Sequence, residues 1–393
     1  MQRRQFIRAA AALSLAAPTR LLALPNAPAK LLVVFLRGGY DAANVLVPLG
    51  SDFYYEARPN IAIARPGSGP NAALPLDADW GLHPALADSL QPLYARGELA
   101  FVPFCGTDDR SRSHFATQDG IELGQALSGG RDFRSGFMNR LVATMSGTRP
   151  IAFSEQVPLI MRGAMDVPNV ALRAIGKPGV DARQSALIAA MYRRTSLAPQ
   201  VNEGFGVRDE VLAAFAPEME AANRNAPNPA TFLADAHRIG KLLRDRFDVG
   251  FVDVGGWDTH VGEGAGTGYL ATRLTALGQG LAAIAQDLGP AWGRTVIVVL
   301  SEFGRTFREN GNKGTDHGHG SVYWVLGGAI RGGRVAGEQV KVARETLFED
   351  RDYPIRNEYR EVLGGLFARL YDLDAAASER VFPGTRPRDL GLV

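Results

Sequence analysis

Residues 295–320, TVIVVLSEFGRTFRENGNKGTDHGHG, form the stretch whose reading decides the fold. Val296 to Leu300 is an apolar, β-branched run of strand length, as expected for a strand covered on both faces. The chain then breaks into Ser301-Glu302-Phe303-Gly304-Arg305-Thr306, crosses a Gly/Asn loop and arrives at Asp316-His317-Gly318-His319-Gly320. Two of the six histidines lie here, beside Glu302 and Asp316.

The same grammar recurs three times. KLLVVFL (30–36) precedes Arg37-Gly38-Gly39-Tyr40-Asp41, and ELAFVPF (98–104) precedes a polar turn holding Ser111, Arg112, Ser113 and His114. VGFVDV (249–254) ends in Gly255-Gly256-Trp257-Asp258-Thr259-His260. Helical periodicity separates the strands: Phe232, Ala236, Ile239, Leu243 and Phe247 share one face, and a long helix over 269–288 returns to the opening strand. A helix through Gln118, Ile121 and Leu123 stops at Gly124. The pattern predicts an α/β fold with a mostly parallel central sheet, helices on both faces and the polar turns on one edge. Ligands of such sheets bind beyond the carboxyl ends of the strands.

Residues 125–230 differ in character, with Pro, Asn, Gly and Arg among short apolar pieces. They read as an insertion or lid in one domain spanning 30–393. His83, ahead of Pro84, reads as a helix-start residue that satisfies backbone groups rather than as a ligand.

The front of the chain is a separate element. Arg3-Arg4-Gln5-Phe6-Ile7-Arg8 followed by the apolar run Ala9 to Ala17 predicts a twin-arginine export signal over 1–29, hence contact with the twin-arginine translocase and a periplasmic or secreted location. That leader holds four of the 43 basic residues and no acid, so the mature chain, with 41 acidic residues, is close to neutral and carries no nucleic-acid footprint. With no run of eighteen apolar residues, no stable membrane span is expected. Cys105 is the single cysteine, which excludes an intrachain disulfide and a thiolate-rich metal site.

With the strand ends on one edge, Asp41, Ser113, His114, Asp258, His260, Glu302, Asp316, His317 and His319 are expected to converge. Carboxylate oxygens mixed with imidazole nitrogens suit Zn²⁺ or a similar divalent ion, one or two in number, with Mn²⁺, Mg²⁺ and Ca²⁺ as alternatives. Such an ion polarises a phosphoryl or sulfuryl oxygen. Arg112 or Arg305 would hold the remaining anionic oxygens of a small ester or glycan. Ser113, or Ser111, reads either as a nucleophile at a helix start or as a helix cap.

In their order, FLRGGYDAANVLVP, RSHFATQDGIELG, GGWDTH, VLSEFGRT and GTDHGHG resemble the exported bacterial family called domain of unknown function 1501. The resemblance covers nearly the whole mature chain. It implies membership of the alkaline-phosphatase and sulfatase superfamily, with metal-assisted ester hydrolysis. It also implies a metal-binding Asp41, a nucleophile at Ser113, and ligands at Asp258, His260 and His317 or His319. The chain departs from the superfamily at Glu302-Phe303-Gly304, where Asp-His-Gly is usual, and Cys105 lacks the C-x-P-x-R context of a formylglycine sulfatase. The reading is therefore a periplasmic metal-dependent hydrolase of phosphate or related esters. The alternative is a non-catalytic exported protein that binds an anionic glycan or envelope component. Peptide or amide hydrolysis ranks last, because H-E-x-x-H is absent.

Overall fold

The computed structural model describes residues 28–170 and 229–393, with a few isolated positions between 190 and 198. All but the last two residues of the expected twin-arginine segment and half of the expected insertion lie outside the described residues.

The first strand, β1 (Lys30–Leu36), is buried at every residue. Strands β2 (Leu46–Pro48), β3 (Leu74–Pro75) and β4 (Trp80–Leu82) form a small antiparallel sheet of their own, in the order β2-β4-β3. The central sheet continues with β5 (Leu99–Gly106), β6 (Pro150–Phe153), β7 (Val249–Val254), β8 (Thr295–Ser301), β9 (Ser321–Leu326), β10 (Arg334–Val335) and β11 (Asn357–Glu358). Its order is β10-β5-β9-β8-β1-β7-β6, with β11 paired to β5. β1 runs parallel to both β7 and β8, so Leu36 lies level with Val254 and Ser301. Only β9 runs against its neighbours, antiparallel to β5 and β8. The mostly parallel sheet is thus as expected. The antiparallel β9 follows because 302–320 loops over the sheet edge and turns the chain straight back.

Alternate residues of β1 enter opposite cores, which is why the run is continuously apolar. Leu32, Val34 and Leu36 pack with Ile239 and Leu243 of helix Pro229–Asp245 and with Leu274, Leu277 and Leu281 of helix Tyr269–Leu288. Leu31, Val33 and Phe35 pack on the other face with Ile121, Leu141, Leu363 and Phe367. Each such side chain contributes roughly 1.5–3 kcal/mol when fully buried. The result is a three-layer sandwich whose site lies beyond the carboxyl ends of β1, β5, β7 and β8. Residues 125–170 supply a helix, Phe137–Ala143, and the edge strand β6. No helix among the described residues is long and apolar enough to cross a membrane.

Candidate metal centre

Four turns deliver the site. The turn after β1 holds Gly38, whose φ of 118° and lack of a side chain let Trp257-Asp258 approach: a Cβ there would lie 2.7 Å from the Asp258 amide nitrogen. The turn after β5 leads through Ser113 to helix His114–Leu123, which begins at His114 and ends at Gly124 in the left-handed conformation. The turns after β7 and β8 bring Asp258, His260 and Glu302. Residues 304–306 pair with 316–319, Gly318 N donating to Gly304 O at 2.9 Å, and this aims His317 inward.

His114, Asp258 and His317 offer donor atoms that all lie within 4.8 Å of one another. His114 Nε2 is 2.9 Å from His317 Nε2, and His260 Nε2 is 3.1 Å from that same atom. Asp258 reaches all three rings: Oδ1 lies 2.9 Å from His260 Nε2 and 3.3 Å from His317 Nε2, and Oδ2 lies 3.4 Å from His114 Nε2. Oδ2 is buried with no hydrogen-bond donor of its own.

Each imidazole has its other nitrogen committed to an oxygen. Nδ1 of His114 donates to Glu302 Oε1 at 2.7 Å, Nδ1 of His260 to Asp316 Oδ1 at 3.2 Å, and Nδ1 of His317 to the Arg112 carbonyl at 3.0 Å. The carbonyl can only accept, and both carboxylates are held down to about 2. His260 is the main cause at Asp316, while at Glu302 hydrogen bonds from His114 and Gln118 outweigh burial. With Nδ1 as the donor, a neutral ring directs its Nε2 lone pair into the cluster. Facing lone pairs at such distances repel unless a cation, a proton or a metal, lies among them. Burial opposes the imidazolium form, yet Asp258 and Glu302 raise His114 to about 9, and Asp258 and Asp316 also raise His260. Despite burial, Arg305 and the three histidines push Asp258 far below the ordinary carboxylate range.

The donor set fits a divalent ion. Bonds of about 2.0–2.1 Å in a four-coordinate N/O site imply donor-to-donor edges of roughly 3.3 Å, near the 2.9–3.4 Å spacings here. The oxygen partner on every Nδ1 matches the way metal-bound histidines are oriented. His114, His317 and Asp258 would hold the ion, with His260 beside them. Phe303 closes the cluster on one side, its ring 4.8 Å from that of His114 and 5.2 Å from that of His317.

Over residues 28–382 the chain matches the family described as "Protein of unknown function (DUF1501)". The chain belongs to this DUF1501 family. No curated protein matches it. Among solved structures, a protein in the alkaline phosphatase superfamily from Vibrio parahaemolyticus is similar at 13% identity, with 99% of this chain and 78% of that chain covered and a TM-score of 0.43. A 2-O GAG sulfatase is similar at 9% identity, over 92% and 73% of the two chains, with a TM-score of 0.39. The C-terminal periplasmic domain of EcEptC from Escherichia coli, solved in complex with Zn, matches at 9% identity over 77% and 73%, with a TM-score of 0.35.

Several residues expected in this DUF1501 site take other places. Asp41 is not in the cluster: Arg58 holds both of its oxygens, Nη2 donating to Oδ1 at 3.0 Å and Nη1 to Oδ2. Arg58 thereby lowers Asp41 against the effect of burial, while burial and Asp41 raise the neighbouring Glu263. Glu302 and Asp316 hold the outer nitrogens of His114 and His260 instead of pointing into the cluster. His319 is turned away, its ring 4.7 Å from Phe348, and burial and the nearby Arg112 lower its pKa. Arg305 donates to Asp258, to Thr315 Oγ1 at 3.1 Å and to the Thr315 carbonyl. Arg112 Nη2 donates to Asp352 Oδ2 at 2.8 Å and to Glu349. Neither guanidinium is therefore a free anion clamp. Ser113 occupies the cap position without a side-chain capping bond, and Ser111 is exposed, its Oγ accepting from Ser113 N at 3.3 Å.

His83 is structural: Nδ1 accepts from Ala85 N at 3.0 Å, and Nε2 donates to the Ala265 carbonyl at 3.1 Å. Glu263, Arg58 and Gln118 were not singled out from sequence. Each is a lone polar residue in an unremarkable local pattern, and the partners that matter, Asp41 for Arg58 and for Glu263, Arg37 and Glu302 for Gln118, lie elsewhere in the chain.

Proposed function

We propose that this DUF1501 protein is an exported, periplasmic metal-dependent hydrolase of phosphate or related ester bonds. The observation that carries the reading is the meeting of three imidazole Nε2 atoms and the Asp258 carboxylate, each Nδ1 committed to an oxygen acceptor. A proton or a metal ion must lie among those four groups, and the spacing of their donor atoms, close to a tetrahedral edge, supports the metal. A bound divalent ion supplies Lewis acidity toward an ester oxygen and acidifies water. The chain's own residues orient the ligands, balance Asp258 with Arg305 and shield one side of the cluster with Phe303. With no base hydrogen-bonded to Ser113, water is the nucleophile in this reading. The substrate is an anionic ester, small or part of a glycan.

A second reading, a non-catalytic binding protein for an anionic glycan or envelope component, is favoured by the internal pairing of Arg112 and Arg305. Metal analysis of mature protein folded with Zn²⁺, Mn²⁺, Mg²⁺ and Ca²⁺, followed by a phosphoester and sulfoester panel, separates the readings. Hydrolysis is expected with a stoichiometric ion and is lost in folded His260→Ala. A folded protein without a stoichiometric ion would overturn the metal reading. Ion binding without turnover across the panel would favour the binding protein.

A further inference from the structure

His114, Gln118 and Glu122 recur at helical i, i+4 spacing, forming one fully buried polar stripe on helix His114–Leu123. The stripe faces the end of β1. There Arg37 donates from Nη1 to Gln118 Oε1 and to Glu122 Oε1, both at 2.9 Å, and from Nε to Asp253 Oδ2 at 2.6 Å. Arg37 is a donor only, so it fixes which end of the Gln118 amide it meets. The oxygen must point at Arg37, which leaves the amide nitrogen to donate to Glu302 Oε1 at 2.8 Å.

Glu302 Oε1 also accepts from Gly38 N at 2.8 Å and from His114 Nδ1 at 2.7 Å, while Oε2 lies 2.8 Å from Ser301 Oγ, whose one hydrogen is shared with the Leu36 carbonyl. Direction is imposed at every link. The guanidinium sets the amide, the amide and backbone set the carboxylate, and the carboxylate sets which nitrogen of His114 faces the cluster. A buried network with each member satisfied holds one geometry better than isolated pairs do.

We infer that Gln118, oriented by Arg37, is a positioning residue for metal binding, fixing Glu302 so that His114 presents Nε2 to the ion. This rests on the metal-centre reading above. Gln118 contacts no ion-facing atom in this scheme and acts through Glu302. Outer partners of metal-bound histidines typically contribute about 10–100-fold in affinity.

The test measures Zn²⁺ affinity of the full mature chain by chelator competition, with the visible d–d spectrum of the Co²⁺ form as a readout of ligand geometry. Gln118→Leu removes the donor to Glu302 and is expected to weaken Zn²⁺ binding by about 10–100-fold and shift the Co²⁺ bands. Gln118→Glu retains size and the contact with Arg37 but sets a second carboxylate against Glu302. It is expected to weaken binding in the same direction, and it decides the matter if the leucine variant does not fold. Glu122→Gln keeps an oxygen facing Arg37 Nη1, so Gln118 and Glu302 stay in place, but it removes the buried ion pair and turns an amide NH2 toward the Ile160 N–H. It is expected to lower thermal stability while leaving Zn²⁺ affinity within about twofold.

If wild type and both Gln118 variants bind Zn²⁺ equally, with unchanged Co²⁺ spectra, the positioning role is overturned and the metal centre stands. Affinity losses that follow stability equally in the Gln118 and Glu122 variants would also overturn it, leaving a packing role. Failure of wild type to bind any divalent ion would remove the metal centre and this role together.

Discussion

His114 Nε2 and His317 Nε2 face each other at 2.9 Å across the carboxyl edge of the sheet, although 203 residues separate them. Glu302 holds the far side of one ring and the Arg112 carbonyl that of the other, so neither imidazole can rotate its Nδ1 inward without abandoning a buried partner. An unpaired buried group costs about 1–3 kcal/mol. That cost keeps the two Nε2 atoms face to face, so that a cation, either a proton on His114 or a metal ion, belongs between them.

Asp41 separates a structural from an ion-binding role. Both oxygens of its carboxylate are held by Arg58, which also donates from Nε to the Phe307 carbonyl at 2.7 Å, and Glu263 lies against the same carboxylate. Asp41→Asn should take the direct charge partner from a buried guanidinium, leaving Glu263 as the nearest carboxyl, and destabilise the fold by up to about 3–5 kcal/mol. Folded Asp41→Asn should still bind one equivalent of ion. Urea unfolding paired with metal analysis checks both, and loss of the ion at unchanged stability would instead put Asp41 in the site.

Ser113→Ala tests the nucleophile. The Ser113 hydroxyl makes no capping bond, and the three imidazoles that could serve as its base have both ring nitrogens committed. Turnover of the best ester in the panel should stay within about tenfold of wild type, the scale of one hydrogen bond. A loss of several orders of magnitude, as on removing a nucleophile, would restore Ser113 to that role.

The strands were legible because burial on both faces leaves an unbroken apolar run, seen in β1 and β8. β6 was not: PIAF is four residues long, too short to stand out among the scattered apolar pieces around it. Convergence of His114, Asp258, His260 and His317 followed from placing every Gly-rich turn on one sheet edge. Which groups point into the cluster did not follow, because that depends on partners far away in sequence. Arg58 claims Asp41 from an irregular loop. Glu302, directly after β8, turns toward His114 because Gly38 and Gln118 donate from that side.

His83 gives a pH signature away from the metal centre. Burial lowers its pKa from 6.5 to about 4. The unfolded chain therefore binds this proton over a range where the folded chain does not. The contribution of His83 is fully present above about 6.5 and is lost as pH falls toward 4, amounting to roughly 3 kcal/mol at most. His83→Gln can keep both hydrogen bonds and does not titrate. Urea midpoints at pH 7 and pH 4.5 should differ less in this variant than in wild type. An equal fall in both would show that His83 does not set this part of the acid response.

The two histidines of Asp316-His317-Gly318-His319 offer the sharpest contrast. Only two residues apart, they are interchangeable as sequence candidates for the final ligand. Yet His317 Nε2 lies within 3.3 Å of His114, His260 and Asp258, whereas the His319 ring packs on Phe348. Removing a ligand leaves His114, His260 and Asp258 with an incomplete site, while removing a packed ring near Phe348 costs contacts and no donor. His317→Ala should therefore lower Zn²⁺ affinity by at least about 100-fold, the upper range for losing an outer partner alone. His319→Ala should bind Zn²⁺ as wild type does and melt at a lower temperature. Chelator competition and thermal melts of both variants make the comparison. The opposite pattern, with the ion lost in His319→Ala and kept in His317→Ala, would mean that the loop turns its other histidine inward when an ion binds.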